Sequence, residues 1–329
     1  MGATTEITGL KYFKIIANGR DTNGHEVKLF RNGRQQYHIT VVIEAVDAYG
    51  HIVHLTEDQM KTVVLMEYYS EKTFEHTFAR SYSWAGYDNY DTTVYETSQA
   101  PSTAMSTLEF WEHILPNTSN NRVKIAAKIT LNTSVYTTNN PDADETGVVK
   151  DGGSNSWFYL QPLPPETLRA DSFQVTRKEQ LGGGYDSGNK PPPFDRYLEK
   201  WELSFKDTRR RIYGSSIPDT KPIPYFSQYT KGSKPWHCAW ILPVRRKKSG
   251  VNSTVYLGWR KDGTWDNYDF WIRPYSTDGV AYFVIEASDH ISTHDYNAWS
   301  VLYYDNFGNE HRIMVRHNDN GKTIVIADS

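Results

Sequence analysis

Two carboxylates and two imidazoles crowd one short stretch, Asp289-His290-Ile291-Ser292-Thr293-His294-Asp295. On a helix, His-x3-His turns both rings to one face, the spacing that zinc hydrolases use. No glutamate adjoins His290, and the segment falls between strand-like runs, where the spacing loses its meaning. The expectation is a polar connecting loop, with no metal and no cofactor. His25, His38, His51 and His54 form a second concentration. His38 and His54 could face each other across a hairpin, yet surface histidines on a sheet explain all four more cheaply. The single cysteine, Cys238 in Trp236-His237-Cys238-Ala239-Trp240, reads as a buried strand thiol. One cysteine excludes an intrachain disulfide and a cysteine-based zinc site.

Other catalytic patterns are missing from the sequence. Gly182-Gly183-Gly184 matches neither phosphate-binding glycine motif, and the downstream Lys190 runs into Pro191-Pro192-Pro193, which cannot open a helix. Gly-x-Ser-x-Gly does not occur. No enzymatic activity is expected. The basic runs Arg209-Arg210-Arg211 and Arg245-Arg246-Lys247-Lys248 could attract a polyanion. A net charge of −3 gives the whole chain no push toward nucleic acid. Turn and edge-strand cations are the cheaper account of these runs, so no nucleic-acid partner is expected.

What remains is aromatic chemistry. Ten Trp, 23 Tyr and 13 Phe make up 14% of the chain, a composition that suits strands, cores and binding surfaces. An aromatic-Asp-Asn-aromatic tetrapeptide occurs three times, as Tyr87-Asp88-Asn89-Tyr90, Trp265-Asp266-Asn267-Tyr268 and Tyr304-Asp305-Asn306-Phe307. Hairpin corners with rings packed inward are the bland reading. The functional reading is rings set beside amide and carboxylate groups, as a sugar would need. Trp265 and Trp271, flanking Asp266, Asn267 and Tyr268, are the leading candidates for exposed rings, with Trp84, Tyr87 and Tyr90 as their equivalent in the first half.

The elements that must hold these rings are strands. Gln36–Val46 alternates with Tyr37, Ile39, Val41, Ile43 and Ala45 on one face, and His38, Thr40 and Glu44 on the other. Asp47-Ala48-Tyr49-Gly50 reads as a turn, and His51 to Leu55 restarts a strand. Arg122 to Leu131 alternates again, with Val123, Ile125, Ala127 and Ile129 in phase. Trp201–Phe205, 254–259, 281–286, 300–304, 312–315 and 323–327 carry similar patterns. Thr56 before Glu57 and Asp58 predicts one capped helical turn, and no long helix is expected. Short strands with close turn signals predict an all-β protein of tandem antiparallel β-sandwich domains, immunoglobulin-like or jelly-roll-like. A length of 329 residues suits two domains. The expected division is an N-terminal domain at 1–163, a Gly/Pro-rich linker or long loop at 164–193, and a C-terminal domain at 194–329.

The run Thr40 to Val53 resembles bacterial immunoglobulin-like repeats of the invasin/intimin type. Those repeats pair an alternating strand with Val-x-Asp-x-x-Gly-x-x-Val, matched here by Val46, Asp47, Gly50 and Val53. Tyr304 to Val315 is a weaker copy around Asp305 and Gly308. The resemblance implies a β-sandwich and carries no catalytic residues. The overall layout also resembles chains of insect- and soil-associated Gram-negative bacteria, which implies no mechanism.

The N-terminus lacks a basic and apolar leader pattern, so the expectation is synthesis in the cytoplasm without a signal peptide, with release by lysis or non-classical export. No apolar run reaches the length of a membrane-spanning helix, so no transmembrane segment is expected. The leading functional expectation is a non-enzymatic soluble binding or assembly protein that presents aromatic-rich loops to a glycan or protein partner, with a homo-oligomer as one form. The alternatives are a bacterial, including insecticidal, toxin component acting at membranes, and a structural subunit of a phage-tail-like device or filament.

Overall fold

The computed structural model describes residues 6–20, 23–74, 78–83, 85–88, 105–182, 198–216, 223–228, 236–241, 244, 255–261, 264–270, 279–288, 298–318 and 323–329. The fold is nearly all β, built from open, mainly antiparallel sheets of the sandwich type. The chain divides into two compact units, 1–165 and 166–329.

The first unit runs β1 (Gly9–Ala17), β2 (Glu26–Phe30), β3 (Gln36–Val46), β4 (Ile52–Val53), α1 (Glu57–Lys61), β5 (Val64–Glu67), β6 (Phe78–Ser81), β7 (Ser106–Ile114), β8 (Val123–Leu131), β9 (Ser134–Thr137) and β10 (Phe158–Leu163). One sheet has the order β1-β3-β7-β6, with β4 beside β3. The other has the order β2-β10-β8-β5, with β9 beside β8, and β10 runs parallel to β2. Period-2 alternation puts Tyr37, Ile39, Val41, Ile43 and Ala45 in the core, each wholly buried. Ile125, Ala127, Ile129, Phe158 and Leu160 meet them from the second sheet. α1 starts at a complete capping box: the Gln59 N–H donates to the Thr56 hydroxyl, and the Thr56 N–H to the Gln59 side chain.

The second unit opens on a 3-10 turn at Ala170–Ser172. It continues as β11 (Phe173–Gly182), β12 (Leu198–Phe205), β13 (Ile212–Ser215), β14 (Ile223–Gln228), β15 (Trp236–Ile241), β16 (Val255–Lys261), β17 (Thr264–Phe270), β18 (Ala281–Ser288), β19 (Ala298–Asp305), β20 (Glu310–Asn318) and β21 (Thr323–Asp328). The sheet β11-β12-β18-β15-β14 and the sheet β13-β19-β20-β21 both supply the core, through Phe173, Leu203, Phe205 and Phe283 on one side and Ile212, Val301, Tyr303, Ile313 and Val315 on the other. β16 and β17 form a separate two-stranded sheet.

Two expectations change here. Part of the stretch 164–193 is not linker: β11 pairs with β12 along its length, because Phe173 and Val175 alternate into the core. His38 and His54 do not face each other, because β4 registers Val53 opposite Ala45. His38 lies opposite Trp111 of β7, with ring centroids 4.8 Å apart.

Candidate functional site

The expected aromatic sites fare unevenly. Trp84, Tyr90 and Trp271 lie outside the described residues. Tyr87 is described and its ring is buried, 2% exposed, so it packs inward and offers no platform. Trp265, Asp266, Asn267 and Tyr268 lie within β17, registered against Arg260, Trp259, Gly258 and Leu257 of β16, and so form strand where a turn-rich stretch was expected. The physical reason lies in the residue next after each tetrapeptide. After Tyr304–Phe307 comes Gly308, whose φ of 82° supplies the left-handed residue a corner needs. After Trp265–Tyr268 come Asp269 and Phe270, and the strand continues. Residues 289–297, with the His290 and His294 pair, also lie outside the described residues. Among the described residues, no cluster of His, Cys, Asp and Glu could hold a metal.

The Asp305 corner gathers charged groups in the core of the second unit. Asp305 Oδ1 accepts the Phe307 and Asn309 N–H groups at 3.0 and 2.8 Å, and Oδ2 accepts the Arg210 guanidinium at 2.5 Å. His311 Nδ1 accepts the Leu168 N–H at 3.0 Å. Its Nε2 is therefore the protonated nitrogen, donating to Asp305 Oδ2 at 3.1 Å. Arg210 also pairs with Glu166. Asp305, Asn309 and His311 are wholly buried, and each polar contact holds the corner and the 166–168 segment in place. This His–Asp pair serves the fold. Arg210, the middle of the Arg209–Arg211 run, is spent in it, which removes that run from any free basic strip.

A surface constellation lies on the first unit. Along β8, Ile125 and Ala127 point into the core, so Lys124, and Arg122 just before the strand, fall on the outer face. Along β10, Phe158 and Leu160 point inward and Tyr159 outward, with Trp157 one step before the strand. Tyr159 registers opposite Lys124. On the other flank, the Tyr68 N–H donates to the Lys124 carbonyl at 2.9 Å, extending the β5–β8 pairing. Pairing across three strands thus lines up residues that lie far apart in sequence.

The result is a ladder of rings and cations. The Lys124 ammonium sits 3.4 Å from the Tyr68 ring centroid, 3.8 Å from Trp157 and 5.2 Å from Tyr69. Trp157 meets Tyr159 edge-on at 5.1 Å, and Tyr68 meets Tyr69 in the same way at 5.2 Å. The Arg122 guanidinium covers Tyr159 at 3.5 Å and pairs with Glu26 at 2.8 Å. Each cation–π contact contributes on the order of 0.5–2 kcal/mol, more when water is excluded. Side-chain amides fix the rings from behind. Asn23 Oδ1 accepts the Trp157 backbone N–H at 2.9 Å and its Nδ2 donates to the Asn155 carbonyl, while the Tyr68 hydroxyl donates to Asn155 Oδ1 at 3.1 Å. Gly24 beside the Trp157 indole holds a left-handed backbone, φ 81°, that calls for glycine, although a Cβ there would stand in ordinary contact at 3.4 Å.

Electrostatics mark Lys124. Burial among the rings holds its ammonium below the ordinary lysine value, and Glu145 partly offsets this at longer range. Burial likewise pushes the Tyr68 phenol up, helped by Tyr69 and Glu145. Among the described residues, no carboxylate comes within ion-pair distance of Lys124. Tyr69 stands 77% exposed at the end of the ladder.

Sequence reasoning placed Val123, Ile125 and Ala127 in phase without following the cations between them, and did not single out Trp157. The available signal was two outward i, i+2 pairs, Arg122 with Lys124 and Trp157 with Tyr159. Only strand pairing shows that the two pairs meet.

The fold and this face define an all-β sandwich protein with an aromatic, cation-bearing sheet surface. No family model and no curated protein matches the chain. Among solved structures it is similar to the C-terminal domain of the Streptococcus agalactiae AgI/II polypeptide BspA, at 9% identity over 96% of this chain and 99% of that one, with a TM-score of 0.22. A second chain, titled BspA_C_mut, aligns at 9% identity over 98% and 99%, with a TM-score of 0.24. Scores this low carry no argument about fold or function. Among the described residues, no helix is long and apolar enough to cross a membrane, which leaves strand-spanning barrels unaddressed.

Proposed function

We propose that the protein is a non-enzymatic binding protein, and that the outer face of the β2-β10-β8-β5 sheet takes a glycan. The observation that carries this reading is the ladder Tyr69–Tyr68–Trp157–Tyr159, whose exposed Tyr69 end is 77% open to solvent. Sugar rings present patches of C–H that stack on aromatic faces, and their hydroxyls need amide and carboxylate partners close by. Asn139 and Glu71 stand beside these rings: Asn139 Nδ2 donates to the Tyr68 carbonyl and to Glu71 Oε1, both at 3.0 Å. Trp265, Asp266, Asn267 and Tyr268 on β17 are carried forward from the sequence as a second candidate for glycan contact.

Saturation-transfer NMR of the full chain against a panel of oligosaccharides tests the proposal. Tyr69→Ala removes the exposed ring of the ladder without touching the core, so it should abolish or strongly weaken saturation of the sugar protons. Trp265→Ala should do so only if the second candidate contributes. Undiminished binding by both variants would sink the reading.

A further inference from the structure

Resting on that reading, we infer that the ladder selects glycans whose sugar rings bear a carboxylate, with Lys124 as the residue that reads the acid. The Lys124 ammonium carries three N–H donors and is ringed by the π faces of Tyr68 and Trp157, with Tyr69 farther out. π faces attract a cation but leave its hydrogen-bonding directions unfilled. Among the described residues, no carboxylate comes within ion-pair distance of it.

Arg122, the neighbouring cation on the same face, shows the contrast. Its guanidinium lies over Tyr159 and its Nε is paired with Glu26 at 2.8 Å, so its charge is already answered. Lys28 is answered by the same Glu26 at 3.7 Å. Of these three cations, Lys124 is therefore the one left for an external anionic oxygen. A partly desolvated ammonium forms a stronger charge-assisted bond than one in water. A sugar stacked on Tyr69 or Trp157 would bring a ring carboxylate to it, gaining stacking and a charge-assisted bond together. An acidic peptide could supply the charge but offers no saturated ring to stack flat on the tyrosines, which favours the glycan. Glu145 acts on the same ammonium at longer range and answers its charge only in part.

The test uses matched probes on the full chain. Uronic-acid trisaccharides and sialylated trisaccharides are titrated beside their methyl esters, which keep the rings and remove the charge, and beside a glutamate oligopeptide. The expected result is that the acids bind about tenfold or more tightly than the esters, the range of one charge-assisted hydrogen bond. Lys124→Met should erase that preference, so that acid and ester bind alike, and Lys124→Arg should retain it. Circular dichroism of each variant shows that the fold persists, and Lys124→Arg keeps the test informative if Lys124→Met does not fold. Acid and ester binding equally well on the wild-type face would overturn the role of Lys124 and leave the glycan reading standing. Binding of the glutamate peptide alone, or of no probe, would overturn both.

Discussion

The Asp47 turn of the first unit and the Asp305 turn of the second share one backbone. In each, the aspartate side chain accepts the N–H groups two and four residues on: Tyr49 and His51 in one, Phe307 and Asn309 in the other. In each, the glycine three residues on donates its N–H to the aspartate carbonyl at 3.0 Å. In each, the aspartate N–H reaches the carbonyl four residues on, also at 3.0 Å. Gly50 and Gly308 have φ of 80° and 82°. Their surroundings are opposite. Tyr49 is 86% exposed, whereas Phe307, at the same place in the turn, is 4% exposed with the Arg210 guanidinium 5.5 Å from its ring centroid. The lesson is a separation of levels. Asp-x-x-Gly specifies the corner through local hydrogen bonds and one left-handed residue. Whether that corner is surface or core depends on what arrives from elsewhere, here Arg210 and the 166–168 segment.

The largest difference should appear on removing the aspartates. Asp305→Ala strips a buried acceptor from Arg210, His311 and the turn amides, and should cost about 3–5 kcal/mol, the cost of breaking a buried pair. Asp47→Ala should cost far less, because water replaces the lost bonds. Denaturant unfolding of the full-length variants measures both, and equal costs would break the comparison. Next come the aromatic positions. Phe307→Ala should cost roughly 3–5 kcal/mol through lost burial, while Tyr49→Ala should leave the unfolding midpoint where it was.

Glycine substitution sharpens the backbone side of the argument. Gly50→Ala would meet no atom within 4 Å, so its cost is pure left-handed strain, about 1–2 kcal/mol. Gly308→Ala carries the same strain, and any excess measured there reports packing against the buried corner.

The smallest effect is acid sensitivity of the exposed turn. Burial pushes the Asp47 carboxyl up, but the His51 and Tyr49 N–H groups and the His51 ring outweigh it, and the net shift is below the ordinary value of 3.8. A depressed folded value means the stabilisation is present above pH 3.8 and lost as pH falls through the lower folded value. Amide shifts of Tyr49 and His51 followed by NMR should move together below pH 3.8, and shifts that stay flat to low pH would refute the bond pattern.

Much of the scaffold was legible because its signals are local. β3 was readable from Gln36 to Val46, since one face of a half-buried strand must be apolar at every second residue. The Thr56 cap was readable because cap chemistry is complete within four residues. β1 and β7 escaped notice in mixed sequence, and β11 was hidden beside the Gly/Pro run at its C-terminal end.

The sequence by itself determined the all-β class, the core face of β3 and β8, and the shape of both Asp-x-x-Gly corners. These follow from φ/ψ preference, side-chain period and hydrogen bonds between near neighbours. Tertiary structure alone decided that Tyr87 is buried and that Asp305 meets Arg210 and His311. It alone brought Tyr68, Lys124, Trp157 and Tyr159 into one ladder. Strand order and register are settled by long-range burial, so the partners of an outward-facing side chain are fixed by which strands come to lie side by side.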